Sequence, residues 1–255
     1  MSKSIIITGA SSGLGAALAE HYAMQGITLG LTGRSEERLQ AVAQICQAKG
    51  AAVELALIDV TDEPAMKEWI TSFDAAHPVD VVIANAGISG GTEGGVPESD
   101  AQVRAIFAAN MDGVMNTLHP LMPLMKQRGK GQMAIISSMA GFRGMPSAPA
   151  YSASKAAVKA YGEALRGNLG KAGIGVTVAC PGYIKTPMTD VNDFPMPGIL
   201  EAPDAAAKIA NAIYHNKGRV AFPLPLRTVM WLANALPSSW IDWLFAKLPS
   251  KPAME

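Results

Sequence analysis

Cysteine is nearly absent. The 255-residue chain has two, Cys46 and Cys180, far apart and without metal-ligand neighbours. That excludes a disulfide framework and a zinc site, so no metal is expected. Both thiols read as small core residues of a reducing compartment. A surplus of charge is missing as well: 21 basic and 21 acidic residues cancel, which leaves no electrostatic footprint for nucleic acid. Long apolar runs are lacking too. The opening "MSKSIIITGASSG" has one Lys, a short apolar run and no small-residue cleavage pattern, so it does not read as a signal peptide and the cytoplasm is the expected compartment. Near the other end, Pro237, Asp242 and Lys247 interrupt "RTVMWLANALPSSWIDWLFAKL". A transmembrane helix needs ~20 uninterrupted apolar residues, so no span is expected there.

What the chain has is apolar material, 49% of its residues against 16% charged, enough for a substantial core. Short apolar runs at 4–8, 27–32, 52–58, 79–84, 132–137, 174–180 and 219–222 read as buried strands. Helical stretches alternate with them at 14–25, 36–49, 62–76, 99–128, 151–172 and 203–215. Near-continuous apolar strands, each followed by a helix, give an α/β fold: a single doubly wound, Rossmann-type parallel sheet with helices on both faces. Residues 1–222 form the expected domain, and 223–255 an apolar extension of it. In such sheets ligands bind beyond the carboxyl ends of the strands, where strand order reverses.

The stretches at those strand ends are unusual. "TGASSGLG" (8–15) joins the first strand to a helix. Gly9 permits a sharp turn, and Gly13 and Gly15 admit a phosphate and close helix packing, with Leu14 between them and the helix N-terminus facing the anion. A plain tight turn is the competing explanation. After the second strand, "LTGRSEERL" has no carboxylate to hold ribose hydroxyls. Arg34 suits a phosphate, and Ser11 and Ser12 add hydroxyl donors, so NADP(H) is favoured over NAD(H). The competing explanation is that Arg34 is a solvated helix start. Asp59 and Val60 end the third strand, where they could meet an adenine, although Asp59 could instead cap a helix, a role open to Asp62 as well. Asn85, Ala86 and Gly87 end the fourth strand. Small residues there let backbone lie along a cofactor, while Asn85 could simply tie down a turn. Ser138 closes the fifth strand, and "YSASK" puts Tyr151 and Lys155 on one helix face. "PGYIKT" (181–186) follows the sixth strand.

Together these elements resemble the short-chain dehydrogenase/reductase family over about residues 4–222: T-G-x-x-x-G-x-G at 8–15, Asp59-Val60, N-A-G at 85–87, Asn110, Ser138, Tyr151-x-x-x-Lys155 and P-G-x-x-x-T at 181–186. Ala84 departs from the pattern, since many members carry a second Asn there. The resemblance implies hydride transfer between a nicotinamide and a carbonyl or alcohol carbon, with Tyr151 as acid or base and Ser138 stabilising the substrate oxygen. It implies that Asn110 holds a water linking Lys155 to solvent. It also implies that Tyr151 and Lys155 contact the ribose, and that Pro181, Gly182, Ile184 and Thr186 hold the nicotinamide end. A phenol has a pKa of about 10. An ammonium ~4 Å away would supply about the 4 kcal/mol needed to bring it near neutrality.

Substrate contacts are expected from 88–97, 140–150 and 187–202, with Phe142, Met145, Met188, Val191, Phe194 and Met196 suggesting an apolar carbonyl compound or alcohol. Arg143 would meet an acidic group or solvent. For the tail, three readings stay open: packing on its own domain or a partner subunit, capping the substrate entrance, or resting peripherally on a membrane through its tryptophans. The resemblance implies a homodimer or homotetramer through the helices at 99–128 and 151–172. A non-catalytic redox sensor is the rival function, and a nonredox lyase or epimerase a further alternative. A sensor would not need Ser138, Tyr151 and Lys155 together.

Overall fold

The computed structural model describes residues 3–93, 96–236, 240 and 251–253. The first strand, β1 (Lys3–Thr8), leads to α1 (Gly13–Tyr22), then β2 (Ile27–Gly33), α2 (Glu36–Ala48), β3 (Ala52–Leu57), α3 (Glu63–Ala76) and β4 (Val81–Ala84). Next come α4 (Asp100–Phe107), a π-helical turn (Ala108–Asp112), α5 (Gly113–Leu118), α6 (Leu121–Arg128), β5 (Gly131–Ile136), α7 (Pro149–Leu169) and β6 (Ile174–Pro181). The chain continues through β7 (Ile184–Lys185), α8 (Pro187–Asp190), β8 (Leu200–Glu201), α9 (Ala202–Tyr214), β9 (Arg219–Phe222) and α10 (Leu224–Ala235).

Seven strands form one sheet in the order β3-β2-β1-β4-β5-β6-β9, and β7 pairs with β8 beside it. Every pairing is parallel. The isoleucine run of β1 explains its central place, because alternate side chains feed opposite faces of the sheet. Ile5 and Ile7 pack with Leu14, Leu18, Leu39 and Ile209 on the face covered by α1, α2 and α9. Ile6 packs with Met66, Ile70, Phe73, Leu118 and Val158 on the face covered by α3, α5 and α7. A strand buried on both faces needs apolar residues at consecutive positions, and losing one such Ile to Ala costs roughly 2–5 kcal/mol. Strand order reverses between β1 and β4, which opens the crevice above their carboxyl ends.

Two expectations need correction. The stretch 52–58 is not a buried strand: β3 lies at the sheet edge, with Leu55 and Leu57 exposed. The helix expected at 99–128 is broken. The π turn at Ala108–Asp112 interrupts it, and a second break lies at Pro120, which has no N–H to continue the ladder and caps α6. Among the described residues, no helix is long and apolar enough to cross a membrane.

Candidate active site

A cleft of about 630 Å³ runs over the carboxyl ends of β1, β4, β5 and β6. Its floor is made of backbone. Gly9 (φ 65°) lies so close to Ala86 that a Cβ there would stand 2.8 Å from the Ala86 Cα. At Gly13 (φ 55°) a Cβ would be 3.0 Å from Thr186. At Gly15 it would be 2.6 Å from the Asn85 amide and would collide with the Gly9 carbonyl. Thr8 and Asn85 fix this floor. The Thr8 hydroxyl accepts from the backbone N–H of Asn85 (3.1 Å) and Ala86 (3.2 Å), and the Asn85 side chain donates to the carbonyls of Thr8 (2.9 Å) and Gly9 (3.2 Å). The Asn85 side chain thus ties the two strand ends together.

Tyr151 and Lys155 sit on the first turns of α7 and line the same cleft as Ser138. The Lys155 ammonium lies 5.8 Å from the centre of the Tyr151 ring and donates to the Ile136 carbonyl at 2.9 Å. Ser138 caps a short turn, its hydroxyl accepting from the Ala140 N–H at 3.1 Å. Burial pushes the Tyr151 phenol above its ordinary pKa, the Ser138 hydrogen bond pulls it down, and nearby Tyr183 raises it. Burial lowers Lys155 to about 8. The expected lowering of the phenol by the ammonium is therefore not what dominates here: desolvation favours the neutral form of both groups. At neutral pH Tyr151 holds its proton and Lys155 its charge.

The remaining expected residues divide. Ser11, Ser12, Leu14, Arg34, Asp59, Val60, Gly87, Pro181, Gly182, Ile184 and Thr186 all line the cleft. Asn110 does not. It is fully buried in the π turn, its amide oxygen accepting from the Ile88 N–H (2.8 Å) and its nitrogen donating to the Ile88 carbonyl and the Ser154 hydroxyl (3.0 Å each). Ser154 donates in turn to the Tyr151 carbonyl at 2.8 Å. Asn110 therefore stitches the loop after β4 to α7.

The family model described as short chain dehydrogenase matches residues 3–194. The chain belongs to the short-chain dehydrogenase/reductase family. An uncharacterized oxidoreductase of Myxococcus xanthus (strain DK1622) is 39% identical, over 94% of this chain and 95% of that one. A solved 3-ketoacyl-ACP reductase from Sinorhizobium meliloti 1021 is 27% identical with a TM-score of 0.76, covering 89% of this chain and 99% of its own. Levodione reductase is 26% identical with a TM-score of 0.74, covering 87% and 95%. This short-chain dehydrogenase is an NAD(P)-dependent oxidoreductase.

The cleft fits a dinucleotide. Helix α1 begins at Ser12 with no side-chain cap bond and no acidic residue in its first turn, so its positive end and free N–H groups remain open to a phosphate. The glycine floor leaves the space that side chains would fill.

Several cleft residues escape sequence reading. Arg38 lines the cleft from the first turns of α2. Its signal was a second guanidinium soon after Arg34, in "GRSEERL". Asp59 accepts from the Thr61 N–H and hydroxyl at 2.9 Å and stands 3.7 Å from Arg34, while Asp62 caps α3. On the substrate side, Met145, Met188 and Phe194 line the cleft, whereas Phe142, Arg143, Val191 and Met196 do not. Phe142 instead lies under Lys159 and Arg219, 5.4 Å from each. Leu226 and Met230 of α10, and Lys251, complete the wall. Of the tryptophans expected in the tail, the side chains of Trp231 and Trp243 lie outside the described residues, and Trp240 is exposed.

Proposed function

We propose that this dehydrogenase interconverts a carbonyl compound and a secondary alcohol with NADP(H), using Tyr151 as the general acid/base. The observation that carries this reading is the meeting of three groups in one cleft: the Tyr151 phenol, the Ser138 hydroxyl and the Lys155 ammonium, which lies 5.8 Å from the centre of the phenol ring. When bound, the nicotinamide ring supplies or accepts the hydride. The chain's own residues handle the proton and the substrate oxygen. Ser138 donates a hydrogen bond to the carbonyl oxygen and steadies the charge that develops there. Tyr151, kept neutral by burial, gives its proton to that oxygen during reduction and takes it back during oxidation. Lys155 stays charged below about 8 and stabilises the phenolate left behind. Asn110 is a positioning residue that holds Ile88 and α7 in register.

The choice of NADP(H) over NAD(H) rests on the end of β2. There Gly33 is followed by Arg34, Arg38 lines the same cleft, and among the described residues the one carboxylate lining it is Asp59. Exposed pairs as long as the one joining Arg34 and Asp59 contribute little, so the guanidinium remains available to a phosphate. The nucleotide seat then comprises Gly9, Ser11, Ser12, Gly13, Leu14, Gly15, Asp59, Val60, Asn85, Ala86, Gly87, Pro181, Gly182, Ile184 and Thr186. Asn85 contributes through its backbone carbonyl, because its backbone N–H and its side-chain nitrogen are already engaged. Residues 1–222 act as the catalytic domain and 223–255 as its apolar extension, of which Leu226, Met230 and Lys251 line the cleft. Association as a dimer or tetramer through α4–α7, and a reducing cytoplasmic setting for the two free thiols, complete the reading.

Nicotinamide absorbance recorded with a panel of apolar ketones and secondary alcohols tests it, with Tyr151→Phe as control. The variant should bind NADPH within a few-fold of wild type and lose at least ~100-fold in turnover. Equal rates for the two proteins on a good substrate would remove Tyr151 from the mechanism.

A further inference from the structure

The substrate end of the cleft is built from thioethers and hydrocarbon: Met145, Met188, Phe194, Leu226 and Met230. Into it projects one group that hydride chemistry does not use. Lys251, from the far C-terminal segment, lies with its ammonium 5.6 Å from the centre of the Tyr151 ring. Tyr151 thus has an ammonium group near its ring from two directions in sequence, Lys155 on its own helix and Lys251 from the tail. The position is anchored. The Lys251 ammonium donates to the Ser89 hydroxyl at 2.7 Å, and its carbonyl accepts from the Glu93 N–H at 2.9 Å. Gly91 has no side chain where the backbone of Lys251 crosses it.

Among the described residues, no carboxylate pairs with Lys251, and the one carboxylate lining the cleft is Asp59, beside Arg34. Taking an ammonium into such surroundings is unfavourable without a counter-charge, and burial here lowers its pKa to about 8. Ser89 engages one of its three donors, which leaves hydrogens for a ligand. An incoming anion would meet the charge and the open donors together. A single ammonium, without a guanidinium fork beside it, supplies one point charge, which balances one carboxylate.

We propose that Lys251 is a specificity-determining residue that pairs with a carboxylate on the substrate, making the preferred substrates apolar oxo acids or the matching hydroxy acids. The proposal rests on the carbonyl-reductase reading for the position of the reacting carbon. Its test is chosen to be separable from that reading.

Binding of 4-phenylbutanoate, which has no carbonyl to reduce, is compared with binding of its methyl ester by calorimetric titration of the NADP(H)-loaded enzyme. Wild type should favour the acid by about tenfold or more, the size of one charge-assisted hydrogen bond. Lys251→Met should bring the acid-to-ester ratio to about one, and Lys251→Arg should keep most of it. Near-equal affinities in wild type, or a ratio untouched in Lys251→Met, would overturn the assignment and make Lys251 a packing residue of the tail. The same ratio measured as kcat/KM on 4-oxo-4-phenylbutanoate and its ester adds the catalytic readout. If wild type turns over neither while the binding ratio holds, the reductase reading falls and the anion site stands.

Discussion

The two ends of the cleft are built by different means. The nucleotide end is backbone: glycines at 9, 13 and 15, strand ends tied by Thr8 and Asn85, and an open helix terminus. The substrate end is side chains drawn from distant segments, Met145, Met188, Phe194, Met230 and Lys251. A backbone surface accepts one shape and tolerates little change, whereas a wall of methionines drawn from separate segments can be rebuilt around new ligands. Between them stands the pair from α7, which belongs to neither end and serves both.

Substitutions can sharpen that contrast. Ser138→Ala, at the boundary, should cost about 100-fold or more in kcat while leaving NADPH titration within a few-fold, as for loss of one donor to a developing oxyanion. Steady-state rates beside a binding curve would show the split, and a parallel fall in nucleotide affinity would blur the boundary. Gly15→Ala should do the reverse. Its Cβ has no room beside the Gly9 carbonyl, so thermal melts should report a loss of roughly 1–3 kcal/mol and cofactor titration a markedly weaker complex. Smaller again is Arg34→Ala combined with Arg38→Ala, expected to lower the NADPH-to-NADH ratio of kcat/KM by about tenfold with no change in substrate preference. An unchanged ratio would move the 2′-phosphate contact elsewhere.

The same contrast explains what the sequence revealed. Strand positions were legible because β1, β2, β5 and β6 are buried on both faces and therefore read as near-continuous apolar runs. Edge strand β3 looked the same in composition, since Leu55 and Leu57 are apolar although exposed, and only its neighbours in space distinguish it. Nucleotide contacts were legible because glycine at a tight turn is a local requirement. The π turn was not. No residue type announces it, and only the coordinates reveal that Asn110 faces Ile88 and Ser154 instead of the cleft. Nor could spacing reveal Lys251, whose ammonium bonds Ser89 from 162 positions away. The burial that raises Tyr151 was illegible for a similar reason: charge spacing can be counted in a sequence, but desolvation cannot.

The pH dependence of reduction tests most directly whether a neutral phenol supported by a charged Lys155 moves the proton. It is best measured in Lys251→Met with a neutral ketone, so that the second lysine lowered to about 8 does not titrate alongside. Burial raises Tyr151, which keeps its proton across this range, and lowers Lys155 to about 8, so charge is lost as pH rises through that value. The logarithm of kcat/KM should be level between pH 6 and about 7.5 and fall above about 8, because the free enzyme's titration governs that quantity. A profile that stays flat to pH 10, or climbs with pH, would contradict it.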